Sequence, residues 1–300
     1  MDLVTVARVK VAQHEKVQQH HAGGTSTITS QDPQVVILDS SFNPPTLAHL
    51  SMIHQGLASV TLPVSLILLL SIKNADKPAS ERQSFARRVQ MMWMLAQMLA
   101  TAPEETSLPR SLVSIDVALT KTPYFHDKAA TIEKALPGLI PPSSTEPIYR
   151  PGLHTVPAQM MAQQVWLLGH DTMLRFLNPS YYKPAESLDV LIPFFEKHRI
   201  CVVPRLQASP DASSGTLDTG DPSLYLAQLV AGQRQIEGWR NEWKDNFLVL
   251  AGRSGEPISS TQARHAAHNG DVQRLKSLVI QPLVSWILQE KLYASRDSFS

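Results

Sequence analysis

The sequence predicts an α/β protein built on one doubly wound parallel sheet, with helices on both faces. Three observations carry that expectation. Apolar runs of strand length recur without alternation, as strands covered on both sides require: Val35–Leu38, Val64–Ile72, Val113–Leu119, Val165–Leu168, Arg199–Val203 and Phe247–Ala251. Helical patterns and turns separate these runs. Two of them pass through a small-residue turn directly into a helix start, the arrangement with which such sheets bind ligands at strand carboxyl ends.

At 300 residues and 43% hydrophobic content, the chain has ample material for a packed core. Lys plus Arg (27) nearly balances Asp plus Glu (26), so no global field draws nucleic acid or an anionic membrane. Neither is expected as a partner, and any phosphate site must be local. No apolar run reaches the roughly 18 residues that a membrane helix needs. The single cysteine, Cys201, rules out an intramolecular disulfide and lies in a strand-like run, so a buried core thiol in a reducing compartment is expected.

Residues 1–32 show no signal-peptide core, because Arg8 and Lys10 interrupt Leu3–Ala12, and Gln13–Ser30 is polar. A mobile arm is expected there. Glu15 and the scarcity of Arg argue against a mitochondrial transit peptide, which leaves the cytoplasm, the nucleus or both as the expected compartment. Residues 33–300 are expected to form a single domain.

After Val35–Leu38, Ser40 and Ser41 are small enough to let a ligand approach the backbone, while Pro44 and Pro45 stiffen the loop that carries Asn43. Thr46 is an N-cap candidate and places His49 in the first helical turn, beside unpaired N–H groups. That is a phosphate site in outline. Leu50, Ile53 and Leu57 predict a helix over Leu47–Val60, and Pro63 ends it. The polar loop after Val64–Ile72 carries Lys73 and Lys77, which either contact phosphate or stay solvated. From Ser80 a helix is predicted, with Met91, Met92, Leu95 and Leu99 on its core face. Strand Val113–Leu119 is followed by a loop, a helix over Asp127–Leu136 and a Pro-rich connection to Pro157.

Val165–Leu168 runs into Gly169-His170-Asp171; on these residues alone Asp171 is a helix N-cap. Helices are predicted over Leu188–Glu196 and Leu224–Lys244. Between them, residues 207–223 are too poor in apolar surface to order themselves and suggest a disordered surface insertion. In Ile258–Arg264, Ser and Thr at a helix start expose amides and hydroxyls, and Arg264 lies on the first turn where its guanidinium can grip phosphate oxygens.

Three of these segments, in this order, resemble the signatures of the nicotinamide/nicotinate mononucleotide adenylyltransferase family, within the nucleotidyltransferases. Ser40-Ser-Phe-Asn-Pro-Pro-Thr-Leu-Ala-His49 resembles G-S-F-N-P-P-T-x-x-H, and Gly169-His-Asp-Thr-Met-Leu-Arg-Phe176 resembles G-x-D-x-x-x-x-F. Ile258-Ser-Ser-Thr-Gln-Ala-Arg264 is similar to I-S-S-T-x-x-R in every fixed position. Two departures stand out: Ser40 replaces the usual Gly, and Ala48 stands where His-x-Gly-His versions carry Gly. The resemblance covers Val35 to about Ala294 and is to a fungal-type member.

It implies a Rossmann-like nucleotidyltransferase fold with C-terminal helices, and transfer of the ATP adenylyl group to nicotinamide mononucleotide, giving NAD and pyrophosphate. Nicotinate mononucleotide is implied as a second acceptor, and Mg²⁺ as the cofactor accompanying ATP. By the same resemblance His49 and Arg264 are catalytic, and Ser41, Phe42, His49, Gly169, Asp171, Ser260, Thr261 and Arg264 bind ATP, with Asp171 accepting from ribose hydroxyls. Ser40, Ser41, Asn43, Lys77, Phe125 and Tyr182 bind the mononucleotide, the two aromatics stacking on its ring. No protein metal site is implied. The attacking phosphate is already ionised, so catalysis needs positioning and charge neutralisation rather than a general base. Two alternatives stay open: another phosphorylated acceptor on the same fold, or a nucleotide-binding regulatory protein without turnover. Oligomeric state is also left open.

Overall fold

The computed structural model describes residues 3–11, 34–60, 64–72, 85–101, 112–139, 163–204, 220–252 and 257–294. Its strands are β1 (Leu3–Lys10), β2 (Gln34–Asp39), β3 (Val64–Ser71), β4 (Leu112–Thr120), β5 (Gln163–Gly169), β6 (Arg199–Val203) and β7 (Phe247–Val249). They form one sheet in the order β1-β4-β3-β2-β5-β6-β7, parallel from β4 to β7 and antiparallel only where β1 joins β4. The chain winds outward from β2 to β4, then returns past β2 and winds the other way from β5. The reversal opens a crevice between the carboxyl ends of β2 and β5, where open α/β sheets take ligands.

The unalternated runs are strands covered on both sides. Val36, Leu38, Leu66 and Leu68 face one core layer, with α1 (Leu47–Ala58), α2 (Phe85–Ala100) and the C-terminal helices α7 (Ser260–His268), α8 (Val272–Leu278) and α9 (Gln281–Gln289). Val35, Ile37, Ile67, Leu69 and Trp166 face the other, with α3 (Phe125–Leu139), α4 (His170–Phe176), α5 (Ile192–Phe195) and α6 (Pro222–Val230). Alternate residues of one strand thus feed two cores. Gly56 seats α1 against β5: a Cβ there would lie 2.3 Å from Leu167 Cδ2. The helix that carries His49 is thereby fixed across the crevice. Cys201 is buried in β6, where burial pushes its thiol up to about 12, in keeping with a core thiol.

The expected mobile arm is corrected at its start. Leu3–Lys10 is an edge strand, with Ala7 and Val9 packed on the core and Val4 and Val6 turned outward. The charges that interrupt its apolar pattern belong to an edge, and one has a specific partner. Arg8 stands opposite Asp116 in the register and donates from Nε to Oδ1 at 2.7 Å, while Asp116 is fully buried. Burial raises the pKa of that carboxyl, and Arg8 opposes the rise. Replacing Arg8 by Ala should therefore cost about 2–4 kcal/mol in urea unfolding, because a buried carboxylate loses its cation. Asp116→Asn in the same chain should recover part of the loss, and a wild-type midpoint for Arg8→Ala would show that the pair does not tie β1 to the sheet. The remainder of the expected arm, residues 12–32, lies outside the described residues.

Further corrections are local. The single helix expected over Leu224–Lys244 is α6, then turns and a 3₁₀ segment at Asn241–Asn246, because Gly232 and Gly238 take φ of 70° and 79°. At Gly238 a Cβ would meet the Leu188 amide nitrogen at 2.7 Å. Leu188–Glu196 divides into a 3₁₀ turn and α5 around Pro193. Most of the expected insertion, and the connection beyond Leu139, lie outside the described residues; Asp221 already caps α6, accepting from the Ser223 amide at 2.8 Å. Among the described residues no helix is long and apolar enough to cross a membrane.

Candidate active site

Residues 39–46 leave β2 and turn into α1 at the crevice. Ser40 N–H still donates to Leu69 O at 3.1 Å, extending the sheet by one residue. Phe42 then takes φ 45°, a region that non-glycine residues rarely enter, while its ring is fully buried 5.5 Å from that of His49. Such a turn persists only when its surroundings hold it. Arg88 Nε donates to Ser41 O at 2.7 Å, Arg264 Nη1 to Asn43 O at 3.0 Å and Ser260 Oγ to Pro44 O at 2.8 Å. Tyr293 Oη donates to Asn43 Oδ1 at 2.8 Å. Helices α2 and α7 and the C-terminal segment therefore grip one short loop.

Thr46 is the N-cap of α1, as expected, and His49 is the third residue of the helix. Its Nδ1 accepts from the Thr46 amide at 3.0 Å, the return half of a capping box with His in place of Glu or Gln. A backbone N–H can only donate, so Nδ1 carries no proton and the neutral ring holds its hydrogen on Nε2. Nε2 lies 2.8 Å from Ser40 Oγ. Burial pushes the His49 pKa down to about 4. His49 is thus a neutral N–H donor across the physiological range.

Gly169 is the N-cap of α4 with φ −79°, a conformation open to any residue, and a Cβ added there would meet nothing within 4 Å. The glycine therefore leaves room in the crevice itself. Asp171 is not the cap; it stands exposed in the first turn of α4. A cavity of about 220 Å³ is lined by Asp39, Ser40, His49, Gly169, Thr172 and Ser259, among others. A neighbouring cavity of about 510 Å³ shares Gly169, Thr172 and Ser259 and adds Asp171 and Gln262.

Ser259 caps α7 in a box with Gln262: Gln262 N–H donates to Ser259 Oγ at 3.2 Å and Ser259 N–H to Gln262 Oε1 at 2.9 Å. Thr261 is exposed and accepts from Arg264 Nη2 at 3.1 Å. Ser40, His49, Gly169 and Ser260 line the smaller cavity and Gly169 and Asp171 the larger, whereas Ser41, Asn43, Thr261 and Arg264 line neither and are tied to the loop and to α7 by the bonds above. Phe42 can contribute only its backbone. Lys73 and Lys77 lie outside the described residues.

The aromatic expectation at Tyr182 is corrected. Tyr182 is 6% exposed, and its hydroxyl donates to Phe176 O at 2.7 Å, so the ring is core. Phe125 sets edge contacts on Trp166 and Phe176, with the Lys128 ammonium 5.0 Å from its ring centre. Phe125 is half-buried, as are the rings of Tyr124 and His126, which stack at 5.9 Å beside Tyr182. Burial lowers the His126 pKa, against the pull of Asp127.

Sequence reasoning missed four contributors. Arg88, 3% exposed, was legible as a cation on the Met-Leu stripe of α2, a position that demands a buried acceptor. Tyr293 and Tyr124 had no local signal. The buried Lys128 pairs with Asp39 at the cavity floor, a contact between residues far apart in sequence.

No family model matches the chain. A Schizosaccharomyces pombe protein with the provisional name nicotinamide mononucleotide adenylyltransferase is 29% identical over 267 residues, 88% of each chain. Among solved structures, Plasmodium falciparum nicotinic acid mononucleotide adenylyltransferase, complexed with APC, aligns at TM-score 0.46 and 12% identity, covering 87% of this chain and 96% of that one. A provisionally named nicotinate-nucleotide adenylyltransferase from Vibrio parahaemolyticus aligns at TM-score 0.41 and 14% identity, covering 87% and 94%. Likeness of structure at this level does not bear on the chemistry.

Proposed function

We propose that the chain belongs to the nicotinamide/nicotinate mononucleotide adenylyltransferase family and transfers the adenylyl group of ATP to nicotinamide mononucleotide, giving NAD and pyrophosphate. One observation carries the reading: three segments far apart in sequence, around His49, Gly169 and Ser260, line the crevice where the sheet reverses direction, and Arg264 of the third is bonded to the loop of the first. The relative from Schizosaccharomyces pombe supports it over most of the chain.

An oxygen of the mononucleotide phosphate attacks the α-phosphorus of ATP, and the bond to pyrophosphate breaks. Nothing must be deprotonated, so a neutral donor at His49 suits the task. Arg264, in α7, would hold the β- and γ-phosphates together with the helix amides. Gly169 leaves space for the adenosine ribose and Asp171 offers acceptors to its hydroxyls. Among the described residues no group of three or more His, Cys, Asp or Glu could cage an ion. The Mg²⁺ we propose would enter with ATP and supply neutralisation of the charge on its phosphate oxygens. The single buried thiol fits the cytoplasm or nucleus as the working compartment.

Purified protein should release pyrophosphate from ATP with nicotinamide mononucleotide, and also with nicotinate mononucleotide. Turnover only with another acceptor, such as phosphopantetheine, would move the chain to a different transferase of this fold. ATP binding without product from any acceptor would make it a regulatory protein.

A further inference from the structure

We propose that the Ser40 hydroxyl is a catalytic hydrogen-bond donor, through which His49 acts on the α-phosphate during transfer. This rests on the adenylyl-transfer reading. The donor of His49 that a phosphate would use, Nε2–H, is already directed at Ser40 Oγ, 2.8 Å away. The ring cannot offer Nδ1 instead, because that atom accepts the Thr46 amide. Rotating the ring would break both bonds and disturb its contact with the buried Phe42 ring.

Ser40 Oγ accepts from Nε2–H, which leaves its own proton. Among the described residues that proton has no acceptor, and Ser40 lines the cavity together with Gly169 and Thr172. Its backbone is held by the bond from Ser40 N–H to Leu69 O, so the hydroxyl is anchored from both ends. A hydroxyl that accepts one hydrogen bond donates a stronger one. The chain Thr46 N–H to Nδ1, Nε2–H to Oγ, and Oγ–H into the cavity therefore polarises in one direction, towards an anion. No proton is transferred. The hydroxyl stabilises the charge that gathers on the non-bridging oxygens of the α-phosphate as the attacking oxygen bonds and pyrophosphate departs. A glycine here, as in the resembled signature, would carry no hydroxyl to donate.

The test compares wild type with Ser40→Gly and Ser40→Ala. A donor used in the transition state should show as a fall in kcat of about tenfold or more in both variants, with KM for nicotinamide mononucleotide within about twofold. Unchanged or higher kcat in Ser40→Gly would make the hydroxyl a bystander, and a rise in that KM alone would make it a ground-state contact to the acceptor; either overturns the proposal. A second arm needs no turnover: the ¹⁵N resonance of His49 Nε2, assigned by its loss in His49→Gln, is followed while a non-hydrolysable ATP analogue is added. With Ser40 between ring and phosphate, the resonance should move little in wild type and far more in Ser40→Gly. Equal movement in both would refute the relay. If wild type makes no product with any acceptor, the adenylyl-transfer reading fails separately and the resonance alone decides whether Ser40 stands between His49 and the nucleotide.

Discussion

His49→Ala should lower kcat by about 10²-fold or more, because it removes the N–H donor that, through the Ser40 hydroxyl, serves the developing oxyanion. The same substitution removes the acceptor for the Thr46 amide, so the start of α1 should also loosen by about 0.5–2 kcal/mol. His49→Gln separates the two effects. A glutamine in this position is the usual third member of a capping box and can accept the Thr46 amide, but it cannot at the same time hold an N–H where Nε2 lies. Near wild-type stability with low kcat is therefore the expected result for Gln, and wild-type turnover in either variant would remove His49 from the chemistry. The pH dependence follows from its neutral state. With a folded pKa of about 4, no His49 ionisation should appear in kcat/KM between about pH 5 and 8.

Stability should behave differently. His49 and His198 both have folded values near 4, lowered from 6.5 by burial, so the unfolded chain takes up protons first as pH falls. Their contribution is complete above pH 6.5 and is lost progressively towards pH 4. Thermal unfolding across that range should show a falling Tm, and His49→Gln should flatten part of the slope.

What was legible in the sequence was what local pattern encodes. Val35–Leu38 is apolar at every position, and Val64–Ile72 at all but Ser65 and Ser71, because both faces of those strands are covered. Thr46 and Ser259 announced helix starts through their own side chains. Leu3–Lys10 was hidden because an edge strand is supposed to carry charge, and Arg8 makes sense only beside Asp116, 108 positions away. Tyr182 misled for a different reason: the resemblance implied a stacking ring at this position, but the ring is buried and its hydroxyl donates to the carbonyl of Phe176. The grip on the loop was visible only in part, because the signatures mark Arg264 and Ser260 as phosphate ligands whereas their present partners are the carbonyls of Asn43 and Pro44.

That double engagement sets the expected result for Arg264→Ala. The guanidinium reaches Asn43 O through Nη1 at 3.0 Å and Thr261 Oγ1 through Nη2 at 3.1 Å, with its remaining donors available to phosphate from the first turns of α7. Charge-assisted bonds of this type are typically worth ~1.5–3 kcal/mol each, so kcat/KM for ATP should fall by at least about tenfold. Asn43 lies between Arg264 and Tyr293, so the loss should extend beyond ATP: KM for nicotinamide mononucleotide should rise as well, though less. Arg264→Lys should restore only part, because a single ammonium cannot hold a carbonyl, a hydroxyl and a phosphate in one plane. Tyr293→Phe isolates the loop: it frees Asn43 Oδ1 while leaving every phosphate donor in place. A mononucleotide KM that rises in Tyr293→Phe with ATP kinetics preserved would assign that component to the loop and leave the ATP loss to the guanidinium. If Arg264→Ala keeps both kcat and the KM for ATP of the wild type, Arg264 is a loop clamp alone, and the phosphate grip assigned to α7 is wrong.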